Sequence, residues 1–291
     1  MTAAAIDDPV HEIKPRRVGF DWEPTPLRWI PGEPVTSHII DVLHLLLPAG
    51  ERWFVHVYKQ VLPMIDDEQL RADVKGFMGQ EAVHSRAHAA VLDHLQANGL
   101  NPDPFVRRID WLFKKLLGDE SMRLIPRKRW LLERVAIIAA IEHFTAVLGA
   151  WILDSPALDA AGADATMLDL LRWHGAEEVE HRSVAFDVFR AVNGNRFSRI
   201  LSMVVSAATM AYLWRRGMRF LCAADPTYVG PAPKFRDFYR ASRKGLLPTP
   251  QMLALAIPRY CRHDYHPSQE ADTQVALDYL AASPAAVAAA A

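Results

Sequence analysis

One segment of the chain, from Trp173 to His181, places two imidazoles and a carboxylate along a single stripe of a predicted helix. His174, Glu178 and His181 are spaced by four and then three residues. Residues three or four positions apart lie on the same face of an α-helix, and mixed imidazole and carboxylate ligands are typical of transition-metal sites. The segment therefore predicts one side of a metal site, for which other helices must supply the remaining ligands.

A second Glu-x-x-His pair, Glu81 and His84, repeats the spacing found in the first segment. Two such helices, together with one glutamate from each of two further helices, form the ligand set of dinuclear carboxylate sites in helical bundles. Glu51 and Glu142 are the candidates for the single glutamates, and Glu142 lies in a segment that is otherwise almost continuously apolar. We predict that these six side chains bind two metal ions.

The numbering indicates that the glutamates of each predicted hairpin lie at the same level. Residues equidistant from the turn of an antiparallel hairpin lie side by side. The midpoint of Glu51 and Glu81 falls in the predicted turn 63–67, and the midpoint of the other pair falls in the predicted turn 154–163. The long connection between residues 98 and 129 allows the two hairpins to face each other.

The apolar spacing along the chain is helical, and no alternating strand pattern of useful length is present. We therefore predict an all-α protein. The predicted helices cover residues 36–62 with an interruption at Pro48 and Gly50, 66–98, 105–117, 129–153, 164–192 and 198–222, followed by short helices within 234–280.

The chain divides into four parts on this interpretation. The aromatic side chains Trp22 and Trp29 are expected to dock the first part onto the body, and the last part is expected to fray. The four parts are an extended N-terminal arm (1–35), a helical bundle with the dinuclear site (36–222), short C-terminal helices packed on the bundle (223–280) and an alanine-rich tail (281–291).

Several polar residues extend the predicted site. His174 lies one turn before Glu178 and is expected to be a third imidazole ligand, whereas for His88 we leave open a ligand or a buried histidine that supports the site. Glu177 and Gln80 directly precede ligand glutamates, where each can accept the second ring N–H of an opposing histidine. Glu180 points off the stripe and is expected to form a salt bridge at its flank.

Composition narrows the function classes. The net charge of −1 gives no basic field for nucleic acid. Cys222 and Cys261 are far apart and form no CxxC motif, which fits a reducing cytoplasm, and the first ten residues do not resemble a signal peptide. The apolar segment Ile200–Trp214 is short for a membrane span, so we predict a buried helix first and a lipid- or substrate-facing helix second.

The motifs resemble those of a known superfamily, of one bacterial family and of one group of oxygenases. The six-ligand set resembles the ferritin-like di-iron carboxylate superfamily, which implies a ferritin-like four-helix bundle with extra helices. Most of residues 36–270 looks like the bacterial family labelled "predicted metal-dependent hydrolase", and the His174-x-x-x-Glu178-x-x-His181 motif is similar to that of di-iron arylamine N-oxygenases. The segments that carry the likeness are Pro48-Ala-Gly-Glu51-Arg-Trp-Phe, Gln80-Glu81-x-x-His84-x-x-x-His88, Glu142-His143-Phe-Thr and Trp173-His174-x-x-Glu177-Glu178-x-Glu180-His181.

The resemblance implies a non-haem di-iron oxygenase or oxidase that activates O₂ to oxidise a small organic substrate. The apolar helices 129–153 and 198–222 indicate that this substrate is hydrophobic or aromatic. Two iron ions are the expected cofactors, with manganese or zinc as alternatives, and a reductase or ferredoxin is a candidate electron donor. The first alternative is a hydrolase. Because the chain has no GxSxG, HExxH or P-loop motif, such a hydrolase would have to activate water at the dinuclear site. The second is a non-enzymatic iron-binding protein. No catalytic residue is assigned beyond the metal ligands, and a homodimer is left open.

Overall fold

The computed structural model describes residues 12–290, which form helices joined by turns and coil with no strand among them. The predicted all-α fold is therefore confirmed for this part of the chain. The α-helices are α1 (Pro34–Val61), α2 (Glu68–Ala97), α3 (Asp103–Trp111), α4 (Arg127–Leu153), α5 (Pro156–Ala160), α6 (Ala165–His181), α7 (Val184–Ala191), α8 (Arg196–Ala224), α9 (Phe235–Arg243), α10 (Pro250–Tyr260), α11 (Thr273–Ala282) and α12 (Pro284–Ala290).

Aspartate side chains cap the N-termini of the long helices α2 and α6. The carboxylate of Asp67 accepts a hydrogen bond from the backbone N–H of Leu70 at the start of α2, and Asp164 does the same for Met167 at the start of α6. Such caps satisfy backbone donors that a helix leaves unpaired. Gly99 follows α2 with a φ of +84°, a conformation that glycine adopts without strain.

Helices α1, α2, α4 and α6 form the bundle, in which α1 pairs with α2 and α4 pairs with α6. The second pair is unusually close, because a Cβ placed on Gly149 of α4 would lie 2.4 Å from the carbonyl oxygen of Gly175 on α6. Helix α8 packs against α1 and α4. The two hairpins thus face each other, as the long connection in the sequence predicts.

The predicted interruption of the first helix is wrong. Helix α1 continues through Pro48, whose carbonyl oxygen accepts a hydrogen bond of 2.9 Å from the hydroxyl of Ser85 on α2. A proline removes one backbone donor from a helix, but packing against the neighbouring helices holds this segment helical. Gly50, the other expected breaker, instead admits the ring of Phe113.

The predicted helix 164–192 is two helices in the structure. Helix α6 ends at His181, and α7 begins at Val184. The buried side chain of Arg182 at this break donates hydrogen bonds to the carbonyl oxygen of Pro267 and to the hydroxyl of Thr273. Contacts with the C-terminal segment, which no local pattern reveals, therefore accompany the break.

The C-terminal helices also differ from the prediction in two places. Pro258 lies inside α10 and does not end it. The tail is ordered as α12 up to residue 290, because the backbone N–H of Ala285 and the hydroxyl of Ser283 both donate to the carboxylate of Asp169 on α6. Docking on α6 replaces the predicted fraying.

The N-terminal arm packs on the bundle within the described residues, whereas its first eleven residues lie outside them. Trp29 is buried, and its indole N–H donates to Asp41 of α1 at 2.8 Å. Near the start of the described arm, the backbone passes very close to α2. A Cβ placed on Gly76 of α2 would lie only 2.2 Å from the carbonyl oxygen of Ile13. A glycine in α2 therefore permits the backbone of the arm to approach the helix.

Helices α4 and α8 are the two described helices that are long and apolar enough to cross a membrane by length and composition. Helix α4 is a core helix whose apolar window is 67% buried, whereas the window of α8 is 28% buried. The prediction of a buried helix at Ile200–Trp214 is therefore wrong for much of its surface. Met203 packs in the core, but Leu201 and Tyr212 are exposed.

Replacing Gly76 by alanine should displace the arm, since the new methyl group and the backbone of Ile13 cannot share the same space. We expect trypsin to cleave after Arg17 several times faster in Gly76→Ala than in the unchanged protein. Lys75→Ala is the control, because Lys75 is exposed on the same helix and its replacement adds no atom towards the arm. Equal cleavage rates in the two variants would show that the arm does not depend on this contact.

Candidate metal centre

The structure brings the six predicted ligands together in the middle of the bundle. Helix α1 contributes one glutamate, α4 contributes another, and α2 and α6 each contribute a glutamate and a histidine from a Glu-x-x-His pair. All six side chains are buried: Glu51, Glu81, His84, Glu142, Glu178 and His181.

The ligand atoms fall into overlapping groups that could each hold a metal ion. Within each group, the atoms lie within 4.8 Å of one another. Glu81 belongs to two groups, and its Oε1 atom lies 3.5 Å from His84 Nδ1 and 3.5 Å from His181 Nε2. The groups are Glu51 with His84 and His174, Glu81 with Glu142 and His181, and Glu81 with His84 and Glu178. This overlap fits two neighbouring ions with a carboxylate between them.

Unpaired polar atoms converge on the same point. A buried polar atom without a partner costs about 1–3 kcal/mol, so such a cluster in a native core calls for a ligand. Within residues 12–290, the atoms at this site without a hydrogen bond of good geometry include both carboxylate oxygens of Glu51, Glu81 and Glu142, Oε2 of Glu178, Nδ1 of His84 and Nε2 of His181. His181 Nε2 lies 3.1 Å from Glu142 Oε2 and 3.3 Å from Glu178 Oε2. Carboxylate oxygens and imidazole nitrogens are metal donors, and the residues therefore fit a metal centre.

Electrostatics favour a cation at this point. Burial, followed by repulsion from the neighbouring carboxylates, raises the pKa of Glu51 well above its usual range. Burial and the charge of Glu178 raise the pKa values of Glu81 and Glu142 to about 8. For His181, burial lowers the pKa, but Glu178 and Glu142 outweigh it and raise the pKa well above its usual range. Bound cations would stabilise the ionised carboxylates in place of protons.

The second ring nitrogen of each ligand histidine contacts the residue expected from the sequence. His84 Nε2 lies 2.8 Å from Glu177 Oε2, and His181 Nδ1 lies 2.9 Å from Gln80 Oε1. Both of these hydrogen bonds fix which ring nitrogen remains to bind a metal. His84 would bind through Nδ1 and His181 through Nε2, which are the two unpaired nitrogens.

Arg16 of the N-terminal arm supports both histidines, a role that the sequence did not reveal. Its guanidinium donates to Glu177 at 2.8 Å and to both carboxylate oxygens of Glu180 at 2.8 and 2.9 Å. Glu180 in turn accepts a hydrogen bond from the side chain of Gln80. The expected salt bridge of Glu180 is thus present, and one arginine reaches both His84 and His181 through intermediates. Gly76 of α2, which lets the backbone of Ile13 approach the helix, is the sequence signal that could have indicated docking of the arm at this place.

Three further histidines, His174, His88 and His44, form a hydrogen-bonded line that leads away from the candidate metal centre. His174 Nε2 lies 2.7 Å from Glu178 and 3.8 Å from Glu51, so it faces the cluster of candidate ligands. His88 does not, because its Nε2 lies 2.8 Å from His174 Nδ1 and its Nδ1 lies 2.8 Å from His44 Nδ1. Since both ring nitrogens of His88 have imidazole partners, we remove it from the candidate ligands and assign it to the support of His174.

The hydrogen-bonded line ends at His44, whose Nε2 has no hydrogen-bond partner among the described residues. A second polar cluster lies nearby at the start of α1: Asp41 is 3.9 Å from His44 Nε2, and His38 bridges Asp41 and Asp225 at 3.1 and 2.9 Å. Burial lowers the pKa of His44 to about 4 and that of His88 well below its usual range. The lowered pKa values favour the neutral form of both imidazoles near pH 7, in which each ring has one N–H to donate and one nitrogen to accept.

A cavity of about 760 Å³ adjoins the site, where His174 and Glu178 form part of its wall. Its volume lies in the range of small-molecule binding pockets. Most of its remaining wall consists of apolar side chains from α1, α4, α8 and α10, among them Phe144, Trp151 and Trp214. The candidate metal centre therefore lies next to a space that can hold an apolar molecule.

The fold and the site together define a helical protein with a buried, carboxylate-rich candidate metal centre. The comparison with protein-family models agrees with this class: the model of the family described as predicted metal-dependent hydrolase matches residues 14–271. The chain belongs to this family. Searches of curated proteins and of solved structures each found no match.

Replacing Arg16 by alanine should weaken metal binding, because Glu177 and Gln80 would lose the group that holds them against the histidines. Loss of such outer hydrogen bonds typically lowers metal affinity by about 10- to 100-fold. Competition with a chelator measures the change. The neighbouring Arg17 is exposed, and Arg17→Ala should bind metal as the unchanged protein does; a similar loss in both variants would contradict the role of Arg16.

Replacing Glu142 by alanine should remove about half or more of the bound metal per chain, since one ligand and one negative charge are lost. Glu133→Ala is the control, because Glu133 lies on the same helix and is partly exposed, and its partners Arg129 and Ser198 lie outside the candidate metal centre. Full metal retention in Glu142→Ala would remove Glu142 from the ligand set.

Proposed function

We propose that this protein is an enzyme with a dinuclear metal centre, which acts on an apolar small molecule held in the adjoining cavity. The convergence of unpaired buried carboxylate oxygens and imidazole nitrogens on one point carries this proposal. Non-enzymatic metal binding would explain the cluster, but it would not explain a cavity whose wall includes two of the candidate ligands.

The residues divide into two metal-binding sets on this proposal. Glu51, His84 and His174 would hold one ion, Glu142 and His181 would hold the other, and Glu81 and Glu178 would lie between them. The four carboxylates together offset the charge of two divalent cations, which explains how the core tolerates these acids. Arg16 would keep Glu177 and Gln80 in place, and these would fix the orientation of the ligand imidazoles.

Hydrolysis is the reaction that we place first, because the family description names it. Two bound divalent cations would supply a Lewis acid and would lower the pKa of water. The protein would contribute the apolar wall that excludes bulk water and orients the substrate. The Nδ1–H of His174 would donate a hydrogen bond to His88 Nε2. This bond would hold the ring of His174 in one tautomer during turnover.

Oxidation with O₂ is the second candidate, and the donor set is the observation that favours it. Four carboxylates and three imidazoles for two ions form a donor set rich in negative charge, which stabilises iron in its higher oxidation states. Iron would supply the redox chemistry, and an electron donor would be required. The chain would contribute an apolar pocket that places a hydrocarbon group beside Glu178 and His174.

Metal content and oxygen dependence distinguish the two reactions. We expect the purified protein to contain close to two metal ions per chain. Hydrolysis predicts turnover of ester substrates with added zinc or manganese under nitrogen, whereas oxidation predicts iron, oxygen consumption and no anaerobic turnover. Glu142→Ala should lose either activity, and Glu133→Ala should retain it. A protein that binds no metal after reconstitution would contradict the proposal as a whole.

A further inference from the structure

The cavity beside the metal centre has an uneven distribution of charge. Its wall contains three cationic side chains, Arg215, Arg219 and Lys234, whereas Glu178 of the metal centre is its one carboxylate among the described residues. The other wall residues are almost all apolar. The cavity thus combines a long apolar surface with a local excess of positive charge.

The two arginines lie on one face of α8, four residues apart, and both are exposed. No carboxylate in the described part of the chain lies within 4.0 Å of either guanidinium. Both also border a smaller neighbouring cavity of about 400 Å³, whose wall adds Arg108 and Arg216. A chain with a net charge of −1 therefore gathers four arginines around this opening.

The apolar surface extends a considerable distance from these charges. On α8 the cavity wall runs from Ala207 to Arg219, which is about 18 Å at the helical rise of 1.5 Å per residue. On α4 and α6 it reaches Phe144 and Glu178. A ligand that uses the whole cavity is therefore elongated, apolar for most of its length and negatively charged at one end.

We propose that the cavity binds a single-chain amphiphile with an anionic headgroup. Arg215 and Arg219 hold the headgroup, and the alkyl chain extends along α8 towards His174 and Glu178. This substrate class rests on the proposed function, because it assumes that the cavity serves the metal centre. Guanidinium groups bind carboxylate and phosphate alike, so the shared requirement is an anion at the end of a hydrocarbon chain.

Calorimetric titration with laurate below its micellar concentration tests the proposal. Laurate and dodecyl phosphate should bind, dodecanol should bind more weakly, and dodecylamine should bind weakest. Acetate and inorganic phosphate, which lack the chain, should not displace laurate. Equal affinity for laurate and dodecylamine, or displacement of laurate by inorganic phosphate, would overturn the proposal.

Charge reversal identifies the headgroup site. Arg215→Glu combined with Arg219→Glu should lower laurate affinity by about tenfold or more, since two attractions become repulsions. Arg196→Glu is the matched control, because it makes the same type of charge change on the same helix at an exposed position that borders neither cavity. Arg219→Lys should retain most of the affinity and shows that folding is intact. An equal loss in Arg196→Glu would overturn the assignment.

Metal-free protein separates this proposal from the proposed function. Laurate should bind after chelation and in Glu142→Ala, because neither change affects the arginines. Metal-dependent turnover without any affinity for anionic amphiphiles would reject the substrate class and leave the enzyme proposal intact. Laurate binding by a protein that never holds metal would support the cavity's ligand and reject the enzyme.

Discussion

Mutual repulsion among four buried glutamates is the constraint on which the rest of this structure depends. Each carboxylate would lose solvation in the bundle core, and each lies near the others, so the folded chain requires protons or cations at that point. The surrounding helices supply groups suited to binding a cation. Helices α2 and α6 each add a histidine, and Glu177 and Gln80 form hydrogen bonds with the rings of these histidines. The bundle can therefore be understood as a scaffold that keeps an otherwise unfavourable charge cluster in one place.

The surroundings of the cluster are asymmetric. On the side of α2 and the N-terminal arm, charges alternate outward from the ligand imidazoles through Glu177 and Glu180 to Arg16. On the side of α8, the surface is apolar and borders the cavity. The polar side fixes the geometry of the ligands, whereas the apolar side leaves room for another molecule. Both proposed reactions need this combination of a rigid donor set and an accessible face.

The convergence of the four glutamates could be predicted from the sequence, because two simple rules determine it. Spacing within a helix determines which side chains share a face, and distance from the turn determines which residues of a hairpin lie level; Glu51, Glu81, Glu142 and Glu178 obey both. The rest depends on contacts distant in sequence. Arg16 lies 161 residues from Glu177 in the sequence. At the break after α6, Arg182 donates hydrogen bonds to Pro267 and Thr273, which follow it by 85 and 91 positions. His88 was ambiguous for the same reason, since its partner His44 lies on another helix. The identity of the ions and the ferritin-like relationship remain predictions.

The glycine pair between α4 and α6 has a consequence for ion size. Gly149 and Gly175 bring the two backbones into contact beside His174, so the interaxial separation at that level is set by main-chain atoms and not by compressible side chains. Donors anchored to these helices have little freedom to spread, and a larger ion such as calcium would demand longer bonds from them. With two metal ions bound as proposed, this backbone contact would favour ions with short metal–ligand bonds over calcium.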